Sequence, residues 1–365
     1  MDSSTQISNI DPTLFEVLKN NRKDLLEYWL FASNNNFKII DKLNTDCILL
    51  GDIGDIEKGS TSGKNEVFTI TEERANAYNI EKDLLRKNVK NGDIQRYFIS
   101  NRGTYLIYTD NKTNFETYPN AFKYLNEFKE ILSARNEVAQ NLYPWWRMER
   151  PRKKEFYDSF EKIIVPYRAD TNRFAYDNEQ RFNDGGDIRV IVIAKPEFSI
   201  KFVIALLNST LLNWYYGFIG KPKGKTREYF NEPLAKIPLK CADNIKQIAF
   251  IGKADLMLAL IKSQQDTIEK FQRTIQRKFN LEDLPGKLQN WYLLTYKEFI
   301  AELTKKKVKL SLKEEAEWEA YFLEEAKQAL EIKSEISKTD KIIDQMVYEL
   351  YGLSEDEIKI VESTP

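Results

Sequence analysis

Lys162-Ile163-Ile164-Val165-Pro166, and after it Ile188-Arg189-Val190-Ile191-Val192-Ile193-Ala194, are short, continuous β-branched runs bounded by turn-forming residues. Runs of this length and composition read as buried strands rather than helices. Working outward, the segments 47–50, 67–70, 96–99 and 105–108 have the same texture, while 118–136 and 200–216 have helical spacing. Strands grouped with a few helices, and no strand-helix-strand alternation, predict an α+β domain with a mainly antiparallel sheet.

The flanks differ from this centre. Residues 11–32 place Leu14, Phe15, Val17, Leu18, Leu25, Leu26, Trp29 and Leu30 at helical spacing after Asp11-Pro12, predicting one or two N-terminal helices. Beyond Pro238 the chain reads as almost wholly helical, with a turn at 280–286 and some coiled-coil character over 245–279 and 311–350. Ser311-Leu312-Lys313-Glu314 and Ser354-Glu355-Asp356-Glu357 fit the capping box, in which Ser and Glu satisfy each other's unpaired backbone donors, so helices are expected to start there. The expected organisation is a helical N-terminal segment over 1–40, an α+β domain over 41–240 and a helical spacer or docking domain over 241–365.

A chain of 365 residues, 42% hydrophobic and 30% charged, has ordinary globular composition. No apolar stretch reaches the roughly 18–20 residues of a membrane span; 202–219 is interrupted by Asn208, Ser209, Thr210 and Asn213. The polar residues 1–12 are no secretory leader. Two distant cysteines, Cys47 and Cys241, fit reduced thiols, so a cytoplasmic location is expected. Histidine is wholly absent, which excludes His-based nucleophilic catalysis and His-ligated zinc.

Formal charge is only -1, yet it is unevenly spread. Residues 141–230 hold 16 Lys and Arg against 11 acids, whereas 301–365 hold 10 Lys against 16 acids. Trp145-Trp146-Arg147-Met148-Glu149-Arg150-Pro151-Arg152-Lys153-Lys154 carries five cations against one carboxylate, and Lys221-Pro222-Lys223-Gly224-Lys225-Thr226-Arg227 four against none. Cations displace counterions from a phosphate backbone while aromatic planes pack on sugar or base, so these runs predict a polyanion partner. The phosphate-contact candidates are Arg147, Arg150, Arg152, Lys153, Lys154, Lys221, Lys223, Lys225 and Arg227. On a strand, alternation would bury one of Trp145 and Trp146 and present the other. Arg96, Tyr97, Arg168, Asn172 and Arg173 mix base-edge readers with aromatic support, and Arg102 joins them from the turn 101–104. Each has a structural alternative in a surface ion pair or a core ring.

Residues 51–68 hold four glycines among small polar residues. The Gly59–Lys64 portion lacks the Gly-x4-Gly-Lys-Ser/Thr spacing, with Asn65 where a magnesium-binding hydroxyl belongs, so a nucleotide loop is disfavoured. A tight loop approaching a DNA phosphate and a plain flexible turn remain equal alternatives. Glu-x-Lys matches such as Glu325-Ala326-Lys327 and Glu357-Ile358-Lys359 sit in expected helices and read as solvated faces. No Asn-Pro-Pro-Tyr or Asp-Pro-Pro-Tyr and no Gly-rich strand-turn-helix occurs, so neither an active site nor a metal or cofactor site is expected.

The loop 51–68, Gly92-Asp93-Ile94-Gln95-Arg96-Tyr97, Trp145 to Arg152, Lys162 to Pro166, Phe174-Ala175-Tyr176, Leu206-Leu207-Asn208-Ser209 and Leu234-Ala235-Lys236-Ile237-Pro238 together resemble the C-terminal target-recognition domain of TaqI-like adenine-specific DNA methyltransferases. The ending 344–362 resembles the C-terminus of long fused restriction-modification enzymes. The resemblance implies a module that grips double-stranded DNA and reads its sequence, while a separate catalytic domain or subunit holds S-adenosylmethionine and flips the adenine. On that reading the chain is a piece or split subunit of a larger enzyme. The rival expectations are an active enzyme part that needs its missing half, and a protein-interaction scaffold working through its acidic helices.

Overall fold

The computed structural model describes residues 34–363 together with 16–17 and 31–32. Most of the helical reading for 11–32 lies outside these residues. Where it can be compared it is corrected: Glu16–Val17 and Phe31–Ala32 pair as short antiparallel strands.

Lys162–Pro166 is buried at all five positions because it lies inside a four-stranded sheet, between Ala175–Asp177 and Ile188–Ile193, with Gly54–Lys58 at the far edge. The helix Ile200–Leu207 packs on Lys162–Pro166 and Ala175–Asp177. Ile164, Ala175, Ile188 and Val190 face the apolar cluster built by Val67, Phe68, Leu106, Ile107, Tyr124 and Leu125. Ile163, Ile164 and Val165 are fully buried, each contributing about 1.5–3 kcal/mol relative to exposure. Lys162 is equally buried, and its ammonium lies 3.4 Å from the Asp177 carboxylate, which also accepts from Arg181 at 3.0 Å.

Three further sheets among the described residues are Thr69–Thr71, Thr104–Ile107 and Leu85–Lys87; Lys221–Lys223, Thr226–Glu228 and Arg168–Ala169; and Pro238–Lys240 with Cys47–Leu49. All pairings between these named strands are antiparallel, as the α+β reading expects.

Several expected elements are corrected. Residues 96–99 form a tight turn in which Gln95 N–H donates to Phe98 O at 2.9 Å and Tyr97 adopts φ 66°. Part of 67–70 is the short helix Asn65–Phe68, and five residues of the loop read over 51–68 form the strand Gly54–Lys58. The helix read over 118–136 is broken into Pro119–Asn126, Lys129–Ser133 and a further turn, Asn136–Ala139. The helix over 200–216 divides into Ile200–Leu207 and Thr210–Ile219, bent by 68°.

The chain forms two compact units, one of residues 1–251 with 346–365 and the other of 252–345. The last residues thus belong with the sheet-containing unit. Tyr351 donates its hydroxyl to Pro238 O at 2.9 Å, and Lys42 pairs with Glu357 at 2.6 Å. The second unit is built from parts of the long helices Asn244–Phe279 and Leu312–Tyr351, with Tyr296–Lys305 between them, around Phe271, Trp291, Phe299, Trp318 and Phe322.

Candidate nucleic-acid interface

The second basic run folds as a hairpin. Lys221 pairs with Glu228 and Lys223 with Thr226 across the two-residue turn Gly224-Lys225. Gly224 has φ 60°, a left-handed conformation that favours glycine at the first position of such turns. Pro222 is tolerated because Lys221–Lys223 is an edge strand. Lys221, Lys223 and Lys225 are all exposed. Arg227 points the other way, donating to Asn213 O at 2.6 Å and Asp170 O at 3.1 Å, so it fixes the hairpin to its support. Glu228 lies at the hairpin base. Burial opposes its ionisation, but hydrogen bonds from Tyr167 and Arg168 and the charge of Lys221 outweigh this and hold the carboxyl below its usual range.

The first run is a turn rather than a strand, so the alternation expected for its tryptophans does not apply. Both rings are half-buried at the rim of the apolar cluster: Trp146 meets Phe115 at 5.0 Å and Trp145 meets Phe122 at 5.8 Å. The Arg147 guanidinium sits 4.7 Å from the Tyr143 ring and donates to Met148 O and Glu149 O. Arg150 is half-exposed and paired with Glu137 at 3.1 Å. Arg152 donates to Gly59 O at 3.2 Å, Lys153 is exposed, and Lys154 opens the short helix Lys154–Asp158.

The base-reading candidates divide. Tyr97 and Asn172 are buried, which corrects their expected outward role. Asn172 donates to Leu207 O at 2.9 Å and accepts from the Tyr229 hydroxyl at 3.0 Å. Arg96 donates to Asn208 O at 2.7 Å, and Arg102 forms a two-pronged pair with Asp93 at 2.8 and 2.7 Å. Arg168 is 45% exposed although paired with Glu228, and Arg173 pairs with Asp170, so these two keep guanidinium surface near the hairpin.

Arg189, not singled out from sequence, shares the Phe230 ring with Lys221 of the hairpin. Its guanidinium lies 4.9 Å from the Tyr167 ring and 6.0 Å from Phe230, and the Lys221 ammonium is 5.8 Å from Phe230. Burial, reinforced by the nearby charge of Arg152, lowers the proton affinity of Arg189. Its place in the apolar run 188–193 was the available signal: an arginine in a buried strand needs aromatic or carbonyl partners.

The glycine loop is not a flexible turn. Ser62 donates its backbone N–H and its hydroxyl to Asp184 at 2.7 and 2.6 Å, and Asn65 donates to Asp184 O at 3.0 Å. Burial raises the Asp184 carboxyl, and the hydrogen bonds from Ser62 only partly offset it. A Cβ at Gly59 would stand 2.0 Å from Asn183 Oδ1, so this glycine permits the close packing of the loop. Among the described residues, no group of three carboxylate or cysteine side chains is placed to hold a metal ion.

Residues 87–239 match the family model of the TaqI-like C-terminal specificity domain, and residues 243–347 match a domain of unknown function (DUF8810). The chain is 28% identical over 215 residues to the type II methyltransferase M.MjaIV of Methanocaldococcus jannaschii, covering 55% of this chain and 70% of that protein. It is 24% identical over 201 residues to the type II methyltransferase M.HindII of Haemophilus influenzae, covering 53% of this chain and 39% of that protein. In fold it resembles the type IIL restriction-modification enzyme MmeI, solved in complex with DNA, with TM-score 0.51 and 11% identity, over 87% of this chain and 36% of that one. The chain thus spans less than half the length of two of these relatives.

Proposed function

We propose that this chain, whose residues 87–239 match the family model of the TaqI-like C-terminal specificity domain, recognises a specific sequence in double-stranded DNA and is the specificity part of an adenine methyltransferase of a restriction-modification system. Lys221, Lys223 and Lys225 on the hairpin, with Lys153 and Lys154, engage phosphates, while Arg168 and Arg173 beside the hairpin read base edges. Methyl transfer belongs to a separate catalytic domain or subunit, which would hold S-adenosylmethionine.

The observation that carries this reading is the hairpin. It presents three exposed lysines on a defined two-residue turn, and its one acid, Glu228, is buried at the base among Tyr167, Arg168 and Lys221. Lys221 is ion-paired with Glu228 at 3.6 Å, while Lys223 and Lys225 have no carboxylate partner among the described residues, and a fixed cationic edge of this kind suits a phosphate backbone better than a solvated face with mixed charge would.

The test is duplex binding as a function of salt. Each neutralised phosphate contributes about -0.9 to the log-log slope, so Lys221→Glu, Lys223→Glu and Lys225→Glu together should flatten it by about 2.7 and weaken binding by orders of magnitude. An affinity unchanged by the triple substitution, or independent of salt in the unaltered chain, overturns the proposal. Binding of S-adenosylmethionine by this chain alone would overturn the assignment of methyl transfer elsewhere.

A further inference from the structure

The second unit carries its own concentration of positive charge. Residues 296–311 hold Lys297, Lys305, Lys306, Lys307 and Lys309 against only Glu298 and Glu302. Both acids are already engaged. Glu298 accepts from Thr295 N–H and hydroxyl, each at 2.8 Å, in the capping box of Tyr296–Lys305. Glu302 is nearly buried and takes Lys305 at 2.7 Å and Lys287 at 3.8 Å. The next carboxylate along the chain, Glu314, caps Ser311 and has Lys278 at 4.0 Å. Lys306, Lys307 and Lys309 are exposed, and no carboxylate among the described residues pairs with them.

These lysines sit on an anchored turn. Lys306 N–H and Val308 N–H donate to Leu303 O at 2.9 and 3.2 Å, Lys307 N–H donates to Thr304 O at 2.9 Å, and Lys307 adopts φ 64°. Val308 and Leu310 pack on the aromatic cluster of Phe271, Trp291, Phe299, Trp318 and Phe322. The backbone is therefore ordered before any ligand arrives, so binding costs less conformational entropy than it would for a loose basic tail. Complementing the helix end accounts for Lys305 in the last turn but not for Lys309, four residues beyond it, because that effect fades within a turn.

We propose that the turn Lys306–Lys309 is a second contact for the phosphate backbone of duplex DNA, so that the unit matching the domain of unknown function binds the substrate itself and is not an inert spacer. Duplex DNA is the occupant proposed because three exposed lysines without a carboxylate partner, on a hydrogen-bonded turn, can displace counterions from a polyphosphate backbone at little cost in conformational entropy. The choice also rests on the DNA-binding reading of the first unit.

The full chain with Lys306→Gln, Lys307→Gln and Lys309→Gln tests this. Three exposed neutral substitutions leave the aromatic cluster intact, which circular dichroism and the melting transition would register. With a duplex extending well past the recognised sequence on both sides, the salt slope should flatten by about 2.7 and affinity at moderate salt should fall at least tenfold. Sequence preference should stay as it was, since phosphate contacts carry none. An unchanged slope and affinity, with hairpin substitutions still abolishing binding, overturns the second contact alone. Failure of the hairpin substitutions to weaken binding overturns the proposed function instead. Lysine-dependent capture of the chain by phosphatidylglycerol vesicles, with duplex affinity unaltered, would reassign the turn to a lipid surface and reject this inference.

Discussion

At the scale of single residues, a polar side chain's role here is decided by whether the backbone nearby leaves it a partner. Asn172 sits among base-reading candidates in the sequence, yet it is 1% exposed and spans Leu207 O and the Tyr229 hydroxyl. Asn172→Ala would leave both groups buried with one bond fewer, and each such loss costs about 1–3 kcal/mol, so the transition in urea should shift by about 3 kcal/mol. The salt slope of duplex binding should be unaffected in the folded protein. A variant of normal stability that had lost discrimination at one base position would instead restore Asn172 to direct readout. Arg135 tells the same story: nearly buried, it donates to Ser62 O at 2.6 Å and Arg147 O at 2.9 Å, spending its charge on the loops that carry the first basic run.

At the scale of elements, what the sequence made legible was what local chemistry decides. Lys162–Pro166 is found with the boundaries expected, and the capping boxes at Ser311 and Ser354 form as read, with Glu314 accepting from Ser311 and Glu357 from Ser354. What misled was structure imposed from a distance. The apolar run 200–216 has no glycine or proline before its break, but the Asn208 amide accepts from Phe174 N–H at 3.0 Å and donates to Phe174 O at 2.8 Å, tying the break to the sheet. Ser209 then caps the next helix, accepting from Leu212 N–H at 3.2 Å. The basic runs were visible by composition, but whether each cation stayed free depended on carbonyls and acids distant in sequence. A hairpin over 221–228 was within reach, since Lys-Gly-Lys-Thr supplies a glycine-first two-residue turn. Ser209→Ala should cost about 1–2 kcal/mol, the loss of a buried N-cap, and speed hydrogen exchange at Leu212. If exchange there is unaltered, Ser209 does not set the break.

At the scale of the whole molecule, the chain leaves its first compact unit after Ile251 and its terminal residues belong to that unit again from Met346 onward. The second unit, 252–345, nearly coincides with the span of the second family match, 243–347, so two independent readings divide the chain at similar places. The ties that hold the terminal residues to the first unit are made by side chains: Tyr351 to Pro238 and Lys240, and Glu357 to Lys42. Burial disfavours ionisation of the Tyr351 phenol strongly, in keeping with its place inside the unit. A chain ending at residue 345 would lose the buried Val347, Tyr348, Tyr351 and Val361. At about 2–4 kcal/mol each, their loss is comparable to the entire stability of about 5–15 kcal/mol expected of a domain. The first unit should then fail to fold cooperatively and duplex binding should vanish, even though the removed segment contains a single cation, Lys359. Calorimetry read beside a binding titration checks this. Two intact transitions and undiminished affinity in the shortened chain would show that the terminal segment is dispensable and that the first unit is complete by residue 251.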